Sequence, residues 1–212
     1  MEKRGRPIKK RTENNDTKTL LIRTGIAWLT ETGYLNADIN GILQQANVPK
    51  GSFYYHFKNK QDFGLAVIQG YGEYFAKKLD RFLLAENIPP LQRLFNFTQD
   101  CRQGMQKYAF KRGCLIGNVA QESALLPTDY HILLQQILQQ WQNKIAQCLH
   151  LAQQAEQISL TLDCQALATF FWTGWEGAVM RAKLSQSALP LDNFIYYFKQ
   201  LLGDNDVQCH LN

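Results

Sequence analysis

The sequence predicts an all-α chain of about nine helices, and three observations carry that expectation. Apolar residues recur at three- and four-residue spacing along most of the chain, the period of a helix face packed on a core. No run alternates polar and apolar residues long enough for a strand, and no segment repeats. Pro89, Pro90 and Pro190 fall between the periodic stretches, where helices stop or start.

In chain order, positions 21, 22, 25, 26, 28 and 29 share one helical face that ends near Gly33. A short helix from about Ile39 to Ala46 follows, then a turn and a second short helix over residues 50–56. A long periodic segment runs from Lys60 to about Leu84 and stops before the two prolines. Leu91, Leu94, Phe95, Thr98 and Met105 form the next stripe, and Cys114 opens another helix. Residues 128–155 give the clearest pattern, with Leu134, Ile137, Leu138, Trp141, Ile145, Cys148, Leu149 and Ala152 on one face. Segments 163–184 and 190–203 complete the set.

The composition narrows the function. At 45% hydrophobic and 19% charged residues, the chain of 212 residues is an ordinary globular one. It carries no apolar run of the roughly 18–20 residues that a membrane helix needs, and its basic N-terminus lacks an apolar h-region, so secretion is not expected. Five widely spaced cysteines without a CxxC pair argue against a disulfide framework or a zinc site and fit a reducing cytoplasm. Neither a metal nor another cofactor is expected. The net charge of +5 is concentrated in one place: residues 1–11 hold six basic side chains against Glu2, while the rest of the chain balances. Such an arm is drawn to a polyanion.

The stretch Val48 to Lys60, VPKGSFYYHFKNK, sharpens that expectation. At 100° per residue, Phe53 and Phe57 stack on one side and can close a small core with Ile39, Ile42 and Leu43. Gly51, Ser52 and Tyr55 fall on the other side, flanked by Tyr54 and His56, with Lys50 and Lys60 near the ends. Pro49 suits the first turn of a helix whose amino end offers free amides and a lysine to phosphate. Two short helices joined by a tight turn, the second exposed, make a helix-turn-helix.

The order G-Y-x-x-A-D-I, then L-x-x-A-x-V-P-K-G-S-F-Y-Y-H-F-x-x-K-x-x-F, from Gly33 to Phe63, resembles the DNA-binding domain of TetR-family transcriptional regulators. The resemblance implies a homodimer whose recognition helices enter successive major grooves of double-stranded DNA. It also implies DNA contacts from Lys50, Gly51, Tyr54, Tyr55, His56 and Lys60, with Ser52 placed to reach base edges. Two positions depart from the family pattern: Asn47 replaces a turn glycine, and Asn40-Gly41 replaces an alanine-containing pair. Within the arm, Arg4-Gly5-Arg6-Pro7 is similar to an AT-hook core. Arg4 and Arg6 would then either lie in an A·T-rich minor groove or attract phosphates loosely.

On this reading residues 1–15 are a flexible basic arm, and residues 16–60 a DNA-binding domain with its motif at about 38–57. Residues 61–84 form a connecting helix, and residues 85–212 an effector-binding and dimerisation domain. Segment 163–184 is apolar nearly all round, so it must be buried on two sides. Trp175 and Phe198 are expected at the dimer interface, within an intersubunit four-helix bundle. Phe97, Trp141 and Trp172 are candidates to line an effector pocket. Glu176 either pairs with a basic group across the interface or binds a ligand's polar end.

The segment Lys111–Asn118 resembles the NemR/AcuR-like branch of the family, some of whose members sense reactive electrophiles or small unsaturated acids. There Cys114, opening a helix beside Lys111 and Arg112, is expected to have a lowered pKa and to act as sensor. Packing is its duller alternative. The function expected is a cytoplasmic, homodimeric repressor on a pseudopalindromic operator, released by a small molecule or electrophile. Control by a protein partner is the first rival. A thiol enzyme using Cys114 with His131 or His150 is a remote second, because no catalytic motif accompanies it.

Overall fold

In the computed structural model, residues 11–203 are described, with side chains from residue 16 onward. Arg4, Arg6 and Cys209 lie outside the described residues. The helices are α1 (Arg11–Thr32), α2 (Ile39–Ala46), α3 (Lys50–His56), α4 (Lys60–Leu83), α5 (Pro90–Lys107), α6 (Leu115–Ala120), α7 (Thr128–Gln154), α8 (Cys164–Ser185) and α9 (Leu189–Leu201). A single 3-10 turn over Ser123–Leu125 precedes α7. No strand occurs among the described residues, and none of their helices is long and apolar enough to cross a membrane. They also hold no group of three or more His, Cys, Asp or Glu that could bind a metal.

The helices end where local chemistry ends them. Asp38 caps α2 by accepting from the Asn40 and Gly41 amides at 3.0 Å each. Asn47 closes α2 in the left-handed region (φ 52°, ψ 43°), the conformation for which a glycine is otherwise usual. Asn59 caps α4 by accepting from the Asp62 amide at 2.8 Å, and Asp163 caps α8 through the Gln165 and Ala166 amides. α1 begins well before Leu21, where the apolar pattern starts, because its first turns are polar and leave no periodic trace.

Gly41 occupies the other departure from the family pattern. A Cβ there would lie 2.5 Å from Cη2 of Trp28 on α1, so the Trp28 ring fills the space that a side chain at position 41 would take.

Helices α1–α3 form the N-terminal layer, and α4 leads from it into a bundle of α5 and α7–α9. Phe53 and Phe57 are buried against Phe63, with ring centroids 5.0–5.4 Å apart, closing the small core under the recognition helix. Deeper in the bundle, Phe75, Phe97, Trp141 and Trp172 form a second aromatic core.

The two layers are joined at the carboxyl end of α1. The Thr30 carbonyl accepts from the Gly113 amide (3.1 Å), Asn118 Nδ2 (2.9 Å) and Lys183 Nζ (3.3 Å). Lys183 Nζ also reaches the Glu31 carbonyl at 2.6 Å, and Asn118 Nδ2 the Leu29 carbonyl at 3.2 Å. Just beyond, Glu122 Oε2 accepts from the Tyr34 and Leu35 amides at 3.0 and 3.1 Å. Arg112 adds an ion pair to Glu31 at 2.8 Å.

Candidate nucleic-acid interface and effector cleft

The recognition helix α3 begins after Pro49, whose extended backbone (φ −62°, ψ 145°) turns the chain out of α2. Its inner face is Phe53, 1% exposed. Its outer face carries Lys50, Gly51, Tyr54 and Tyr55, all exposed, with Tyr55 at 71%. Ser52 and His56 are half-buried at its edges. No atom lies within 4 Å of where a Gly51 side chain would begin, so the backbone is open to close approach from outside. Burial and the charge of Lys18 both hold the His56 pKa below its ordinary value, so the ring is neutral at neutral pH. It can therefore offer a neutral hydrogen bond to a phosphate. Lys60 is drawn inward: its ammonium donates to the Leu35 carbonyl at 3.1 Å and lies 5.0 Å from the Tyr34 ring centre.

Three expectations for the C-terminal half need correction. Phe97, Trp141 and Trp172 do not line a pocket. They are at most 2% exposed and pack on one another and on Phe75, because the aromatic stripes of α5, α7 and α8 face inward together. Trp175 and Phe198 are likewise buried within their own chain, at 2% and 1% exposure. Phe171 packs on both, stacked on Trp175 at an interplanar angle of 8°. Side chains already covered by their own subunit have nothing left to give a partner. The large apolar residues that α8 and α9 leave exposed are Phe170, Met180, Leu184, Leu189, Tyr197 and Leu201.

The third correction concerns the cysteine. Cys114 is the N-cap residue of α6, as expected, but it is buried, and burial pushes its thiol well above the ordinary range. The neighbouring cations do not reach it. Arg112 is paired with Glu31 and stacked 4.1 Å over the Tyr108 ring, and Lys111 is exposed. Burial also raises Cys101 and Cys148 to about 11, and Cys148 donates to the Pro90 carbonyl. Cys164 is buried too, its thiol raised by burial and then by Asp163. The side chains interacting with Cys114 are Tyr71 and Glu176. His131 binds the Ser123 carbonyl and His150 faces Gln153, so the pairing needed for a thiol–imidazole enzyme is not formed.

A cleft of about 660 Å³ lies where the two layers meet. Helix α1 contributes Ile22 and Ile26, α4 contributes Tyr71 and Phe75, and α8 contributes Trp175 and Glu176. Cys101 and Cys114 also line it. Its size suits a small organic ligand. Sequence periodicity could not locate it, because its lining is drawn from residues at the edges of several stripes. The one local signal was Glu176, a carboxyl in an apolar helix.

Comparisons with known proteins agree with this geometry. Residues 21–67 match the family described as bacterial regulatory proteins, tetR family, and residues 90–198 match the tetracyclin repressor-like C-terminal domain. The chain is 47% identical to the transcriptional regulator AcuR of Cereibacter sphaeroides over 178 residues, 84% of this chain and 81% of that protein. It is 31% identical to the HTH-type transcriptional repressor DhaR of a Mycobacterium species over 88% of this chain and 92% of that one. Among solved structures, a regulatory protein TetR from Rhodobacter sphaeroides superposes with a TM-score of 0.85 at 45% identity, covering 87% of this chain and 97% of that one. Escherichia coli NemR in its reduced form shares the fold, with a TM-score of 0.82 at 23% identity over 91% of this chain and all of that one. With its helix-turn-helix presented outward and a helical C-terminal domain behind it, this chain belongs to the TetR family of DNA-binding transcriptional regulators.

Proposed function

We propose that the protein is a cytoplasmic, homodimeric repressor, released from a pseudopalindromic operator by a small molecule or electrophile bound in the interlayer cleft. It works by binding, without catalysing a reaction. The observation that carries this reading is the position of the cleft. Its walls include α1 of the DNA-reading layer as well as α4 and α8 of the bundle, so an occupant bears on both at once.

In this reading residues 1–15 act as the arm, its last five already belonging to α1, 16–60 as the DNA-binding domain, 61–84 as the connecting helix and 85–212 as the effector and dimerisation domain. Lys50, Gly51, Ser52, Tyr54, Tyr55 and His56 meet the major groove. Lys60 acts by holding the loop after α1 as well as by charge, and Arg4 and Arg6 extend the footprint. The exposed stripe of Phe170, Met180 and Leu184 on α8, with Tyr197 and Leu201 on α9, supports a two-fold helical interface. Cys114 and the cleft around it form the sensor.

The test is operator release. Bound sequences are first selected from random DNA, and a Cys209→Ser protein on that operator is then treated with limiting N-ethylmaleimide. Release with an adduct at Cys114, lost in a further Cys114→Ser change, is the expected result. Release that persists in Cys114→Ser would remove this cysteine from the mechanism and leave it as packing only.

A further inference from the structure

Cys114 presents a difficulty for its role as sensor, since burial disfavours the thiolate that an electrophile needs. The surrounding residues supply a way round it. Three protic side chains from three elements meet at one edge of the cleft: the Tyr71 hydroxyl from α4, the Cys114 thiol at the start of α6 and the Glu176 carboxyl from α8. Glu176 Oε1 is shielded from solvent and has no hydrogen-bond partner. An orphaned acceptor of this kind is costly unless something uses it. Gly117 makes room for the carboxyl, because any side chain there would collide with Glu176 Oε2.

The other charges lining the cleft are already engaged or lie apart. Lys78 on α4 is paired with Asp100 at 2.5 Å, beside the Cys101 thiol of α5. Arg112 is held by Glu31, and Lys183 of α8 by the α1 carbonyls. Arg23 of α1 also lines the cleft, with no ion pair to Glu176. No cation pairs with Glu176 among the described residues.

We propose that Glu176 is the proton acceptor that activates Cys114 toward α,β-unsaturated carbonyl compounds, with Tyr71 steadying the oxygen of the acceptor. This rests on the electrophile reading above and gives it a chemistry. The Cys114 S–H bond breaks and its proton passes to the Glu176 carboxylate. A bond forms from sulfur to the β-carbon as the alkene π pair shifts onto the carbonyl oxygen. Tyr71 donates a hydrogen bond to that enolate oxygen. The enolate then collapses and its α-carbon takes the proton back from Glu176. Thiol has added across a double bond, nothing is oxidised or reduced, and the carboxylate is regenerated. Burial raises the Glu176 pKa to about 7, so the acceptor is about half ionised near neutral pH; the thiol lies well above it, so its proton leaves only as the bond to the β-carbon forms.

N-ethylmaleimide is the probe, and the readout is the rate of Cys114 adduct formation against pH in the Cys209→Ser background. In the protein with Glu176 intact, the rate should rise about tenfold per pH unit below about pH 7 and level off above it. Glu176→Gln should slow alkylation roughly 100-fold at pH 8 and abolish that inflection. Tyr71→Phe should slow it roughly tenfold and leave the inflection in place. A melting curve checks the fold of each variant. If Glu176→Gln fails to fold, Glu176→Asp replaces it, with a reduced rate and the inflection retained. An unchanged rate and pH profile in Glu176→Gln would overturn the role of Glu176 while Cys114 sensing stands. Absence of any Cys114 adduct in the Cys209→Ser protein would overturn both.

Discussion

Helices α3 and α8 are both dense in aromatic residues, yet they spend them in opposite ways. In α3 the aromatics divide: Phe53 faces the core while Tyr54 and Tyr55 stand in solvent. In α8 nearly every face is apolar, and the large rings Phe171, Trp172 and Trp175 turn inward while Phe170, Met180 and Leu184 are left outside. A hydroxyl on an aromatic ring marks the side that meets water, so α3 declares its orientation residue by residue. A helix of Phe, Trp, Leu and Gly carries no such mark, and its rotation about its own axis is decided by partners distant in sequence.

The largest expected effect breaks this comparison at its buried side. Trp175→Ala should cost about 3–5 kcal/mol of stability, because it opens a cavity between Phe171 and Phe194. Phe170→Arg, one turn earlier but outward, should leave the melting of the monomer nearly unchanged and abolish the dimer in sedimentation. If both variants behaved alike, the assigned rotation of α8 would be wrong.

Glu176→Gln sharpens the same side through pH. The folded carboxyl holds its proton up to about pH 7, against an ordinary value of 4.5. Between those limits the folded state binds a proton that the unfolded state has lost, so stability falls as pH rises across the window. Above it the loss is complete, on the order of 3 kcal/mol. The glutamine variant should therefore melt higher than the parent at pH 8 and alike at pH 4; a difference that is the same at both would refute a buried acid.

On the exposed side, Tyr55→Ala should weaken specific DNA binding by about 1–3 kcal/mol with no change in melting temperature. Lys60→Ala should do least: its ammonium is partly committed to the Leu35 carbonyl, so the salt dependence should flatten by less than about one log–log unit. A full unit would mean that Lys60 swings out to phosphate when DNA binds.

The same contrast explains what the sequence could disclose. The limits of α2 and α3 and the inward turn of Phe53 and Phe57 were legible, since caps, proline and polar–apolar alternation are local signals. Asn47 in the left-handed region was legible for the same reason. Trp175 and Phe198 were misplaced because an all-apolar helix offers no local choice of side. Phe97, Trp141 and Trp172 were misplaced because an aromatic stripe reads alike whether it lines a cavity or fills one. The thiol of Cys114 was misjudged because Lys111 and Arg112 are its neighbours in sequence, while Glu31 and Tyr108 claim the guanidinium in space.

The joint at the end of α1 bears on how such a regulator can be recombined. The groups that Gly113, Asn118, Lys183 and Glu122 seize there are carbonyls and amides of the main chain. Main-chain groups are present whatever side chains the reading head displays. A reading head with another operator preference could therefore be grafted onto this bundle and still be gripped, provided its first helix ends with the same backbone course. A fragment ending near residue 60 would lack all four partners, and its first helix should fray from the carboxyl end. Exchange of specificity is thus permitted, and independence of the head is not.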